Sequence, residues 1–171
     1  MFRSLLEAEY RPWGQLSPGQ LDRLDRHYEL LVSWNKRLNL TRIQDLTDVV
    51  RFHYCESLFV STVLPEGPLR VCDLGSGAGF PGIPLAIARP DLEVVLIESD
   101  VRKAVFLREA TRDLVNVQVS ATRFQRCNAD FDWMVSRAVA LEEILRVPLA
   151  PNFALSLSMA SVPPPALLTR K

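Results

Sequence analysis

The sequence predicts an α/β fold, a doubly wound and mostly parallel sheet carrying an α-helical amino-terminal cap. Three observations lead there. From Leu69 onward, short apolar runs bounded by turn residues alternate with helical stretches. The residues before that point read as helix. Four of the chain's seven glycines crowd between Gly75 and Gly82, where the first apolar run passes into a helix.

Residues 17–38 give the clearest helix. Ser17 suits the N-cap, Pro18 the first turn, and Gln20 completes a capping box. Leu21, Leu24, Tyr28, Leu31, Trp34 and Leu38 recur at steps of three and four and form one apolar stripe. Asn39 and Thr41 suit the turn that follows. A second helix is predicted over about 46–63, with Val49, Val50, Leu58 and Val60 as core candidates and a stop at Pro65. Leu69–Leu74 is the first strand. Residues 83–89 then read as helix, Glu93–Ile97 as a strand ending at Glu98, 100–114 as helix, Val117–Val119 as a short strand and Phe131–Val135 as a fourth. A short helix is expected near 141–146. This divides the chain into a helical cap (1–66), a core (67–146) and an atypical tail (147–171). The tail holds Pro148, Pro151 and the run Pro163-Pro164-Pro165, and its only charges are Arg170 and Lys171. It does not continue the alternation clearly. One strand over 151–157 is conceivable there, and the last strands of the sheet are expected to be missing.

Composition narrows the class. The chain has 171 residues, 48% of them hydrophobic and 23% charged, which is globular rather than disordered. Lysine plus arginine equal aspartate plus glutamate at 20 each, so a nucleic-acid contact would have to be local rather than a bulk charge effect. Cys55, Cys72 and Cys127 are far apart, without a CxxC pair, so neither a disulfide framework nor a zinc site is expected. Glu7 and Glu9 stand where a signal peptide needs an apolar run. No run approaches the roughly 18 apolar residues of a membrane span. The expectation is a cytoplasmic protein with no membrane partner.

The glycine segment, Asp73-Leu74-Gly75-Ser76-Gly77-Ala78-Gly79-Phe80-Pro81-Gly82, fits two frames. Gly77, Gly79 and Gly82 make GxGxxG, the dinucleotide fingerprint, which is weak alone. Asp73, Gly75, Gly77 and Gly79 make DxGxGxG, the pattern of enzymes that use S-adenosylmethionine (SAM). The second frame accounts for Asp73, because a carboxylate there can serve a ligand's ammonium group and would repel a pyrophosphate. Glu98 ends the next strand and can accept hydrogen bonds from both hydroxyls of a ribose.

DLGSGAGFPGIPLAI (73–87), LIESDVRKAVFLREA (96–110), HYELLVSWNKRLNLTRI (27–43), RFHYCESL (51–58) and FDWMVSRA (131–138) together resemble the RsmG (GidB) family of small-subunit rRNA guanine-N7 methyltransferases. The resemblance covers roughly residues 20–146 and implies a Rossmann-like methyltransferase fold, SAM as cofactor, and a guanine N7 in the 530 loop of 16S rRNA as target. It implies that Gly75 and Phe80 contact SAM, that Glu98 and Ser99 hold the ribose region, and that Arg137 of the Ser-Arg-Ala motif is a further SAM contact. Asp73, Gly77 and Gly79 complete the loop. The family's acidic residue near the adenine aligns with the Arg123-Phe124-Gln125 segment, where Gln125 departs from the pattern and removes a charge. The partner implied is 16S rRNA or the small ribosomal subunit, met by a monomer.

Guanine N7 carries an in-plane lone pair and no proton, so no general base is required, no catalytic side chain is named, and alignment of the reactants dominates. RNA-contact candidates are Lys36, Arg37, Asn39, Arg42, Arg51 and His53, basic and polar groups near the aromatic Trp34 and Phe52. His27 reads as structural. Two other functions stay open at this point: a nicotinamide (NAD-type) oxidoreductase on the GxGxxG frame, and a catalytically degenerate nucleotide- or RNA-binding module.

Overall fold

A computed structural model describes residues 1–126, 130–137, 139, 142, 152–157 and 166–170. The cap comprises α1 (Phe2–Tyr10), α2 (Pro18–Leu38), α3 (Leu46–Val49), a π-helical turn (Val50–Cys55) and α4 (Glu56–Val63). The sheet region follows with β1 (Arg70–Leu74), α5 (Gly82–Ala88), β2 (Glu93–Ile97), α6 (Val101–Ala110), β3 (Val117–Ser120), β4 (Trp133–Arg137), β5 (Asn152–Leu157) and β6 (Ala166–Arg170).

Helix α2 forms for the reasons visible in its sequence. The Ser17 side chain accepts from the Gln20 amide, and the Gln20 side chain accepts from the Ser17 amide, closing the capping box. The Gln20 amide group also donates to the carbonyls of Ile87 and Ala88, at 3.2 and 3.1 Å, so one residue starts α2 and satisfies the end of α5. Asn39 ends α2 in the left-handed conformation.

The helix expected over 46–63 runs unbroken over those residues, but its middle is π-helical. Asp45 caps α3 through the amides of Thr47 and Asp48, and the chain then widens into the π turn before resuming as α4. Sequence periodicity does not reveal such a turn, because the inserted residue merely shifts the apolar phase. Helix α1 lies inside the stretch read as a helical cap, although no sequence signal marks its bounds. It buries Phe2, Leu6 and Tyr10, and the Phe2 ring stacks on Tyr28 of α2 with centroids 4.5 Å apart. Helix α6 ends at Ala110 rather than residue 114, and β4 begins at Trp133 and reaches Arg137.

The sheet order is β3-β2-β1-β4-β5-β6. All pairings are parallel except β5–β6. The chain leaves β1 toward β2 and β3, then returns to β4 on the other side. The carboxyl ends of β1 and β4 therefore border the crevice where sheets of this kind bind ligands. Val71, Val94, Leu96, Trp133 and Val135 face a large core that also takes buried residues from all six helices. Cys72, Leu74, Val95, Ile97 and Met134 face the opposite side with Phe131, and Phe124 and Val139 pack against them.

The expectation of missing last strands is corrected. Asn152–Leu157 pairs in parallel with β4, and Ala166–Arg170 closes the sheet antiparallel to β5. The prolines that obscured this sequence lie outside both strands. The short helix expected near 141–146 lies almost wholly outside the described residues.

Candidate functional site

The glycine loop leaves β1 at the sheet's carboxyl edge. Gly75, Gly77 and Gly79 all have positive φ, at 67, 56 and 89°. Gly82 is needed for a different reason. A Cβ there would collide with the Leu96 side chain and lie 2.7 Å from the Asp73 carboxylate. That close approach lets the Gly82 amide donate to Asp73 Oδ2 at 3.0 Å.

Asp73 therefore braces the glycine loop against the start of α5. It is fully buried, tied to the start of α5, and its Oδ1 has no hydrogen-bond partner among the described residues. Burial pushes its carboxyl up to about 7, with the Gly82 amide opposing. Phe80 follows Gly79 in the loop. Its side chain is buried, stacked on His53 at 4.7 Å and edge-on to His27 and Tyr54, so only its backbone is left for a ligand.

Glu98 stands at the end of β2. Its Oε2 accepts from the Gly77 amide at 2.9 Å and its Oε1 from the Asp100 amide at 2.8 Å. Two backbone donors thus fix the carboxylate beside the loop, and each oxygen retains a lone pair for a further donor such as a hydroxyl. Ser99 is exposed beside it. Phe124 and Gln125 form a 3₁₀ turn after β3, with Phe124 half-buried. The Gln125 side chain lies outside the described residues.

The loop's own amides are largely engaged. Gly75 and Ser76 donate to Ile97 O, Gly79 and Phe80 to Ser76 O, and Gly77 and Gly82 to the two carboxylates. A pyrophosphate-binding loop needs such amides free and pointing at the anion. This loop instead offers turned backbone and the Glu98 carboxylate, which suits a nucleoside cofactor without a pyrophosphate. SAM fits that donor set.

Arg137 ends β4 across the crevice. Its guanidinium carbon lies 5.0 Å over the Phe80 ring, and its NH1 donates to Phe52 O and to His53 Nδ1, each at 2.8 Å. Burial lowers its pKa, opposed by the nearby Glu56 and Asp73 carboxyls. Glu56, absent from the sequence-based site, is buried with Oε2 unpartnered among the described residues and its carboxyl pushed up to about 7 by desolvation. Only its acid type within a buried apolar stretch could have flagged it.

The RNA candidates separate. Lys36, Arg37, Asn39 and Arg42 are exposed around the end of α2. Arg51 is engaged elsewhere, in a two-pronged pair with Glu9 of α1 at 2.8 Å on each side. His53 is buried, with both ring nitrogens engaged in the protein and its pKa pushed down to about 3, mainly by burial. Arg51 is exposed while paired with Glu9, whereas the His53 ring is turned into the protein. His27 is buried beneath the loop, between the Tyr54 hydroxyl at 2.9 Å and Ala78 O at 3.1 Å.

Among solved structures, the fold resembles a coclaurine N-methyltransferase bound to N-methylheliamine and SAH (TM-score 0.57, 16% identity, 91% of this chain and 56% of that one). It also resembles a SAM-dependent methyltransferase from Aquifex aeolicus (TM-score 0.53, 16% identity, 74% of this chain and 77% of that one). At that identity the likeness establishes a methyltransferase-type Rossmann-like fold. Sequence relatives are nearer. The ribosomal RNA small subunit methyltransferase G of Chromobacterium violaceum is 41% identical over 138 residues, covering 78% of this chain and 66% of its own length. That of Methylobacillus flagellatus is 43% identical over 138 residues with the same coverages. That of Roseiflexus sp. is 40% identical over 139 residues, covering 76% of this chain and 59% of its own. The chain thus spans about three fifths to two thirds of the length of these relatives. The family model for rRNA small subunit methyltransferase G (GidB) matches residues 20–148, a stretch that takes in all but the first two residues of α2, the π turn, the glycine loop, Glu98 and Arg137. With cap and loop matched in one continuous alignment, the chain belongs to the rRNA small subunit methyltransferase G family.

Proposed function

We propose that the chain is a SAM-dependent methyltransferase of small-subunit rRNA, acting on N7 of a guanine in the 530 loop of 16S RNA. The observation that carries this reading is the glycine loop, whose amides turn inward while Glu98 is held at its rim by two backbone donors. That geometry supports a SAM site and counts against a dinucleotide, so the oxidoreductase reading falls behind.

SAM supplies an electrophilic methyl group when bound. The chain's own residues have a limited task. Glu98 would accept from the ribose, Gly75 and Phe80 would offer backbone, and Ser99 and Phe124 would lie along the adenosine. Arg137 would fix the far wall of the crevice. Because guanine N7 carries no proton, the site needs orientation and exclusion of water rather than a base. The two histidines suit this, since burial pushes His27 down to about 4 and His53 down to about 3.

The test is transfer of labelled methyl from SAM to small-subunit particles or naked 16S rRNA lacking the N7 methyl group, with the modified position mapped. Transfer to one guanine of the 530 loop is expected. Folded protein that binds SAM but transfers nothing would instead point to the degenerate binding module.

A further inference from the structure

A groove of about 420 Å³ opens on the cap, away from the glycine loop. Its floor is apolar, from Leu31, Ile43 and Val49, and its rim is polar, from Lys36, Asn39 and Thr41. No carboxylate lines it. Lys36 has no ion-pair partner among the described residues.

One wall of this groove is wired to the crevice. Arginine can only donate, so His53 Nδ1 accepts from Arg137 at 2.8 Å. The ring proton then sits on Nε2, which donates to Thr41 Oγ1 at 2.7 Å. Thr41 Oγ1 also accepts from the Ile43 amide at 3.1 Å. Both acceptor positions of that hydroxyl are filled, and its own hydrogen is left to donate. The chain of donors runs in one direction, from a cation through a neutral imidazole to a hydroxyl at the groove. Each bond in such a chain polarises the next, so the terminal O–H is a strengthened donor. The Asn35 side chain clamps the Thr41 backbone on both sides, at 2.9 and 3.0 Å, and fixes where the hydroxyl stands.

A strengthened donor beside an unpaired ammonium calls for an anionic acceptor. We propose that the cap groove seats a phosphodiester of the RNA strand, held by the Lys36 ammonium and the Thr41 hydroxyl, with the adjoining sugar or base over Leu31, Ile43 and Val49. His53 is a positioning residue in this arrangement: it fixes the Thr41 hydroxyl from one side and Arg137 from the other. The inference rests on the rRNA reading above, whose RNA contact it localises.

The test uses the whole chain, a short fluorescent single-stranded oligoribonucleotide from the 530 loop, and SAM measured separately by calorimetry. Lys36→Gln should flatten the dependence of log affinity on log salt by about 0.7, the value for one single-strand phosphate contact. Thr41→Val should weaken RNA binding about tenfold, the scale of a hydrogen bond to a charged group, and leave the salt slope unchanged. Thr41→Ser should restore it. SAM affinity should stay within twofold in all three. If Lys36→Gln and Thr41→Val bind RNA with wild-type affinity and slope, the groove is not the phosphate seat, even where methyl transfer by the wild type upholds the rRNA reading. Loss of RNA binding in Thr41→Ser equal to that in Thr41→Val would also overturn it. A wild-type chain that binds the RNA but not SAM overturns the methyltransferase reading alone, and the variants still decide the groove.

Discussion

At the scale of single residues, four buried titratable groups pull stability in opposite directions with pH. Asp73 and Glu56 hold their protons to about pH 7 when folded, against ordinary values of 3.8 and 4.5. Their folded pKa is raised, so their contribution is fully present at low pH and is lost as pH climbs through about 7. His27 and His53 are lowered from 6.5 to about 4 and about 3. Their contribution is present above pH 6.5 and is lost as pH falls. Across pH 4.5–6.5 the two pairs oppose each other, and a shallow dependence is expected for the native chain. Asp73→Asn should remove part of the falling limb, so that urea midpoints rise more steeply between pH 5 and 7 than in the native protein. A variant with the same profile as the native chain would show that Asp73 titrates normally. Glu98 makes a second residue-scale prediction. Glu98→Gln keeps the size but weakens two charge-assisted bonds from Gly77 and Asp100, and SAM affinity by calorimetry should fall about tenfold.

At the scale of elements, Gln20 joins two helix ends. Gln20→Ala removes the return half of the capping box and both donors to the end of α5, and should cost about 1–2 kcal/mol by urea unfolding. Ser17→Ala, which removes only the cap oxygen, should cost about 1 kcal/mol. Helix α2, β1 and β2 were legible because their signals are local: a cap, a 3.6-residue stripe, an apolar run closed by an acid. The π turn was not, since nothing in Val50-Arg51-Phe52-His53-Tyr54-Cys55 distinguishes it from ordinary helix. That turn sets the direction of two of the RNA-contact candidates. Arg51 pairs with Glu9 of α1, and His53 points inward to Arg137. Two members of the glycine loop, Asp73 and Phe80, have their side chains buried. Asp73 and Phe80 anchor the loop from below, because a sequence motif records which residues a turn needs without recording which side of it they face.

At the scale of the whole molecule, six strands form one sheet whose far side depends on β5 and β6. β5 covers β4 along five register positions, Trp133 to Arg137. Trp133, Met134 and Val135 are buried, so a chain ending at residue 151 would present an apolar strand with unpaired amides. Such a truncation should lose most of its soluble yield relative to the full chain and scatter more light on concentration. The tail was hard to read because its prolines and missing charges suggested breakage, while the strands between them are short and depend on a long-range partner. A chain with no net charge can still carry a local basic face. Lys36, Arg37 and Arg42 sit together at one end of α2 and are exposed there, which needs a local excess only.

The inward-facing amides of the glycine loop bear on time as well as on chemistry. Hydrogens at Gly75, Ser76 and Gly77 are already bonded within the protein. They should exchange slowly with deuterated solvent before any cofactor is added, and adding SAM should change that protection little. A loop ordered in advance gives up little freedom when a ligand arrives. Cofactor capture should then proceed as one simple bimolecular phase, with no slow rearrangement after it in stopped-flow traces.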